Sequence, residues 1–134
     1  MVIDPGILVA AAISPAGTPA NILRAFRVRQ FELVVSPALL AELQRVLLRP
    51  KFRPYIDEDQ AVRYVDNLAR SATLLPDAEV QPGVTPDPKD DYLVALARAT
   101  NAQFLISGDA HLTGLPDPEP PVIAPATFLR LLQD

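Results

Sequence analysis

The stretch DPKDDYLVALARATNAQFLISGDAHL, residues 87–112, contains a helix, a strand and an acid, in that order. Asp87 followed by Pro88 is a helix start, an N-cap acid with proline at the first helical position. The helix carries Val94, Ala95 and Ala99. QFLIS, residues 103–107, is a short apolar run of the kind that makes a buried strand. Asp109 stands just past that strand, in GDAHL, which reads as a turn.

The same alternation continues outward in both directions. Val2-Ile3 is a short strand and Ile7 to Ile13 an apolar, Ala-rich helix. SPAGTP breaks the chain, and a helix from Thr18 or Pro19 runs to about Val28 with Ile22, Leu23 and Phe26 on one face. FELVVS, residues 31–36, is a strand. Ser36-Pro37 then caps and opens a helix that reaches about Leu48, where Pro50 stops it. A helix over about 58–70 and a short strand, ATLL (72–75), precede the Pro- and Gly-rich loop PDAEVQPGVTPD (76–87). A loop of that length in a compact domain is often functional. PVIA is a last short strand and Ala126–Leu132 a terminal helix. Strands alternating with helices predict an α/β fold, a mostly parallel sheet with helices on both faces. The whole chain, 1–134, is expected to form one domain.

Composition removes several function classes. There is no cysteine, hence no disulfide framework, thiolate zinc site or cysteine nucleophile. No run of about 18 apolar residues exists, so no membrane span is expected. The opening MVIDPG lacks the basic region of a signal peptide, and a cytoplasmic protein is expected. Net charge is −4, but residues 1–55 carry seven Lys/Arg against three acids and residues 56–134 five against thirteen. That pattern excludes a uniformly basic nucleic-acid binder and leaves room for a local basic patch. Neither nucleotide fingerprint is present, nor is a nucleophile elbow. A phosphotransfer site with an Asp-x-Asp after the first strand is contradicted by Gly6. The single histidine, His111, fits a surface or supporting role beside Asp109.

In parallel sheets ligands bind beyond the carboxyl ends of the strands, and four segments bring acids there. Asp4 ends the first strand and Asp109 follows QFLIS. Glu42 lies less than two turns into the helix leaving FELVVS. Asp90 and Asp91 open the helix of the 87–112 stretch. Each acid also has a simpler role. Asp4 and Asp109 can cap the helix or turn that follows, and Glu42 can pair with Arg45 three residues on. Asp87 and Asp90 are accounted for by a capping box. Asp91 is left over, and the convergence favours a shared site. Carboxylates gathered at one edge repel one another and need a cation. Oxygen donors without His or Cys suit Mg²⁺ or Mn²⁺.

VIDPGILVAAAISPAGTPANIL, FELVVSPALLAELQRVLLRPKF, the 87–112 stretch and the ending VIAPATFLRLL together resemble the PIN-domain family, nearest to the VapC-like ribonuclease toxins of toxin–antitoxin systems. The resemblance covers nearly the whole chain in order. It implies a three-layer α/β/α sandwich around a mostly parallel sheet of four to five strands, and a Mg²⁺- or Mn²⁺-dependent endoribonuclease. The family's acids map to Asp4, Glu42, Asp91 and Asp109 as metal ligands, with Asp90 adjacent and Ser107 as the small hydroxyl residue two before the last acid. RNA phosphates would meet basic residues elsewhere, chiefly Arg45, Arg49, Lys51 and Arg53, with Arg24, Arg27 and Arg29 as further candidates. The resemblance also implies a cognate antitoxin, and a homo-oligomer, dimer or higher, is expected. One motif departs: the family usually reads Asp-Thr-Asn where this chain has Asp4-Pro5-Gly6, losing a hydroxyl and an amide that orient the site. Two rival readings are an inactive PIN fold that only binds RNA or protein, and a small-molecule phosphatase using the same metal.

Overall fold

The structure, a computed structural model, describes residues 1–80, 91–115 and 120–133. The chain runs β1 (Val2–Ile3), α1 (Pro5–Ile13), α2 (Thr18–Arg27), β2 (Val34–Val35), α3 (Pro37–Leu47), a 3₁₀ turn (Pro50–Phe52), α4 (Glu58–Ser71) and β3 (Thr73–Leu74). It continues through α5 (Asp91–Ala99), β4 (Leu105–Ile106), α6 (Ala110–Thr113), β5 (Val122–Ile123) and α7 (Pro125–Gln133).

Helix starts follow local chemistry. Ser36 Oγ accepts from the Leu39 N–H, with Pro37 at the first helical position of α3. Asp57 and Gln60 form a complete capping box on α4. The ends of α2 and α5 share a different device. The Gln30 N–H reaches Ala25 O and the Ala102 N–H reaches Ala97 O, closing Schellman motifs around Arg29 (φ 64°) and Asn101 (φ 53°). Asn tolerates the left-handed conformation and Arg does not, so the end of α2 is strained.

Every described strand pairing is parallel. β1 pairs β4 in the register Val2–Leu105 and Ile3–Ile106, and β4 pairs β5. β2 pairs β3. These two ladders meet where the Val34 N–H donates to Met1 O at 2.8 Å, which gives the spatial order β3-β2-β1-β4-β5. Val2, Ile3, Leu105 and Ile106 are all at most 1% exposed. Successive strand residues point to opposite faces, so both faces of the sheet are covered. This is the predicted α/β layering. The strands are shorter than the sequence reading has them: ATLL pairs at Thr73–Leu74, QFLIS at Leu105–Ile106 and PVIA at Val122–Ile123. FELVVS pairs only at Val34–Val35, and the turn after Asp109 is the short helix α6. Phe26, Phe31 and Phe128 pack α2 and α7 together, with ring centroids 5.9 and 5.0 Å apart.

Among the described residues, no single helix is long and apolar enough to cross a membrane. The bent pair α1–α2 meets that length and composition only jointly. Its apolar residues, Ile7, Leu8, Ile22 and Phe26 among them, are buried in the core.

Candidate active site

Asp4 extends the first strand and caps the helix that follows. Its backbone N–H donates to Ile106 O at 2.9 Å, extending the β1–β4 ladder by one bond. Its Oδ1 accepts from the Gly6 N–H at 2.9 Å and so caps α1, with Pro5 at the first helical position. The N–H that Pro5 lacks is therefore one that a helix start leaves unpaired in any case. The second oxygen, Oδ2, accepts from Ser107 Oγ at 2.8 Å. Ser107 is fully buried, and its Oγ accepts in turn from the Asp109 N–H at 3.0 Å. One hydroxyl thus ties the end of β1 to the end of β4 and brings Asp4 and Asp109 to the same edge. Each Asp4 oxygen uses one lone pair in these bonds and keeps another for a ligand.

Asp91 comes from a helix packed on the same two strands. It is the first residue of α5, which packs on β1 and β4. At 2% exposure its carboxylate would be costly without compensation. The helix N-terminus supplies part of that compensation, since its dipole favours an anion. Asp91 also lines a cleft of about 420 Å³ between α5 and the segment after β3, together with Ala78, Glu79, Val94 and Arg98. Asp90, with the expected cap at Asp87-Pro88, lies outside the described residues, and so does the His111 side chain.

Glu42 takes the simpler of its two expected roles. Its carboxylate holds Arg45 in a two-bond pair, Nη2 to Oε1 at 2.6 Å and Nε to Oε2 at 3.1 Å, on an open face where the side chains are 37% and 58% exposed. Among the described residues, no three His, Asp or Glu side chains stand close enough to share one cation. The edge therefore joins Asp4, Ser107 and Asp109 directly and presents Asp91 from a helix on the same strands, while Glu42 faces its own helix. The donors on offer are carboxylate and hydroxyl oxygens, which fit Mg²⁺ or Mn²⁺ in kind.

The basic residues also separate. Arg49 and Lys51 are exposed, with Lys51 Nζ 5.1 Å from the Phe52 ring centroid. Arg53 is half-buried and donates to the Leu47 and Arg49 carbonyls at the end of α3. Its Nη2 is engaged by the fold, while Nε and Nη1 are buried with no hydrogen-bond partner among the described residues. Two anchoring residues were not anticipated from the sequence. Asp77 Oδ1 accepts from the Ala38 N–H at 2.9 Å, at the start of α3. The Tyr64 hydroxyl donates to Leu8 O at 2.7 Å and pins α4 to α1. The first spans 39 positions and the second 56, beyond the reach of any local pattern.

Residues 1–111 match the family described as PIN domain. The uncharacterised protein MJ1680 of Methanocaldococcus jannaschii is 26% identical over 117 residues, 87% of this chain and 75% of that protein. Two solved structures share the fold. PAE2754 from Pyrobaculum aerophilum has a TM-score of 0.67 at 18% identity, over 98% of this chain and 88% of its own. VapBC2 from Rickettsia felis, solved bound to a DNA fragment from their promoter, has a TM-score of 0.62 at 16% identity, over 91% of this chain and 95% of its own.

Proposed function

The chain belongs to the PIN-domain family, whose members are generally nucleases, and from that premise we propose that it is a Mg²⁺- or Mn²⁺-dependent endoribonuclease, the toxin of a toxin–antitoxin pair. The observation that carries this reading is the hydrogen-bonded link Asp4–Ser107–Asp109 at the carboxyl edge of β1 and β4, with buried Asp91 on the helix packed against those strands.

Asp4, Asp91 and Asp109 are the residues that would hold the ion, and because no three acids among the described residues stand within reach of one cation, they would have to draw together on it. Glu42 joins them only by releasing Arg45. The chemistry such an ion supplies is a water acidified toward neutral pH and neutralised charge at the phosphodiester. The chain's own residues do the rest. The Gly6 N–H and the Ser107 hydroxyl fix the Asp4 carboxylate in one orientation. Ser107 sets the spacing of the two strand ends. Arg49 and Lys51, free of the ion pair and the backbone contacts that engage Arg45 and Arg53, are the phosphate contacts of this set.

A cognate antitoxin, a homo-oligomer and a cytoplasmic setting belong to the same proposal, and the fold likeness to VapBC2 supports its antitoxin and oligomer parts. The alternative is a weakened or inactive PIN fold that binds RNA or protein. It is favoured by Pro5-Gly6 beside Asp4 and by the engagement of Glu42 with Arg45. Incubation with single-stranded RNA and Mn²⁺, with and without EDTA, decides between them. Cleavage that needs the metal and is lost in Asp109→Asn supports the nuclease, and RNA binding without cleavage supports the alternative.

A further inference from the structure

The last described bond of the β2–β3 ladder runs from the Leu75 N–H to Val35 O at 2.9 Å, and Pro76 follows. The next residue, Asp77, crosses to the start of α3 and accepts from the Ala38 N–H. Ser36 Oγ takes the neighbouring Leu39 N–H, so two side chains, one from each side, close the same helix end. β3 runs parallel to β2, which places this contact at the carboxyl edge of the sheet. Ala78 and Glu79 follow at once and line the cleft whose other side runs along α5 from Asp91. A strand end, one carboxylate and a helix start therefore fix one wall of the approach to the buried acid.

The geometry points to Asp77 as a positioning residue: by clasping the segment after β3 to α3, it sets the width of the cleft over Asp91 and so the seating of the RNA strand there. The role in RNA seating rests on the nuclease reading above, whereas the role in cleft width does not.

The chain has no cysteine, so Glu79→Cys with Ala95→Cys places a lone thiol pair across the cleft. The rate of bridging by a short bis-maleimide is then measured with Asp77 intact and in the Asp77→Ala, Asp77→Asn and Asp77→Glu backgrounds. Asp77→Ala is expected to slow bridging about tenfold, since small losses of orientation carry large rate penalties. Asn accepts the same hydrogen bond and retains the rate, and Glu, one methylene longer, falls between. In the protein without introduced cysteines, Asp77→Ala raises KM for single-stranded RNA by about tenfold with kcat little changed, and Asn restores KM. Equal bridging in all four backgrounds overturns the proposal. A lower melting temperature in Asp77→Ala with bridging and KM unmoved also overturns it, because that is the mark of a helix cap alone. If even the wild type leaves RNA intact, the nuclease reading fails, and the bridging rates still decide what Asp77 does.

Discussion

Replacing Ser107 with alanine removes one oxygen and breaks two bonds. Asp4 Oδ2 loses the donor at 2.8 Å, and the Asp109 N–H loses its acceptor at 3.0 Å. No solvent reaches position 107. A hydrogen bond to a charged group contributes about 1.5–3 kcal/mol and a neutral one about 0.5–1.5. The two share one atom and are not additive, so the expected loss is about 2–4 kcal/mol. For a chain of this length that corresponds to a fall in melting temperature of roughly 6–15 °C. Urea unfolding of wild type and Ser107→Ala measures it, and the slope of free energy against urea should be unchanged, because the same surface is exposed on unfolding. The Mn²⁺-dependent cleavage rate should fall about 10- to 100-fold alongside, the usual cost of losing a group that orients a ligand. A stability loss below about 0.5 kcal/mol would mean that the hydroxyl only fills space and that the two strand ends are held by something else.

Four further outcomes follow from particular residues. Restoring the family's pattern with Pro5→Thr and Gly6→Asn should raise metal affinity or cleavage about tenfold; a side chain at position 6 first meets Asp4 Oδ1 at 3.5 Å, an ordinary contact, so an unchanged rate would mean other groups orient Asp4. Arg29→Gly should stabilise the fold by about 0.5–1 kcal/mol in thermal melts by relieving the left-handed residue that ends α2, with Asn101→Gly giving less. Burial raises the pKa of the Tyr64 phenol. The unfolded chain ionises it near its ordinary value of about 10, so stability is held below that pH and declines above it, and Tyr64→Phe should show a shallower decline in urea midpoints between neutral and strongly alkaline pH. Neutralising Arg49 and Lys51 together should lower the salt dependence of RNA binding by about one to two in slope, while Arg45→Gln changes it less because Glu42 already holds that charge.

Local patterns carried most of the architecture. Ser36-Pro37, the Asp57–Gln60 box and the proline-led helix starts encode their caps within a few residues, so the helices were readable in place. Strand lengths were not, since they depend on how far a neighbour stays in register: FELVVS supplies six apolar-rich positions, of which two pair. The placement of Asp4 and Asp109 at one edge follows from both standing at ends of parallel strands, and the Ser107 hydroxyl links the Asp4 carboxylate to the Asp109 backbone N–H there. The Glu42–Arg45 pair was visible in the three-residue spacing. The Asp77 clasp, the Tyr64 anchor and the hold of Arg53 on the end of α3 are contacts whose partners depend on tertiary packing, and no period or motif in the chain marks them.

The central claim is a divalent-metal nuclease site built on the acids at the carboxyl edge, and it is tested most directly at Asp91. The measurement is cleavage of a labelled single-stranded RNA by wild type and Asp91→Asn, each purified identically, with a few millimolar Mn²⁺ and with EDTA. The account predicts cleavage by wild type that stops in EDTA and falls about 100-fold or more in Asp91→Asn, the scale on which losing a group that stabilises developing charge is felt. Cleavage that persists in EDTA, or that Asp91→Asn performs as fast as wild type, would contradict it.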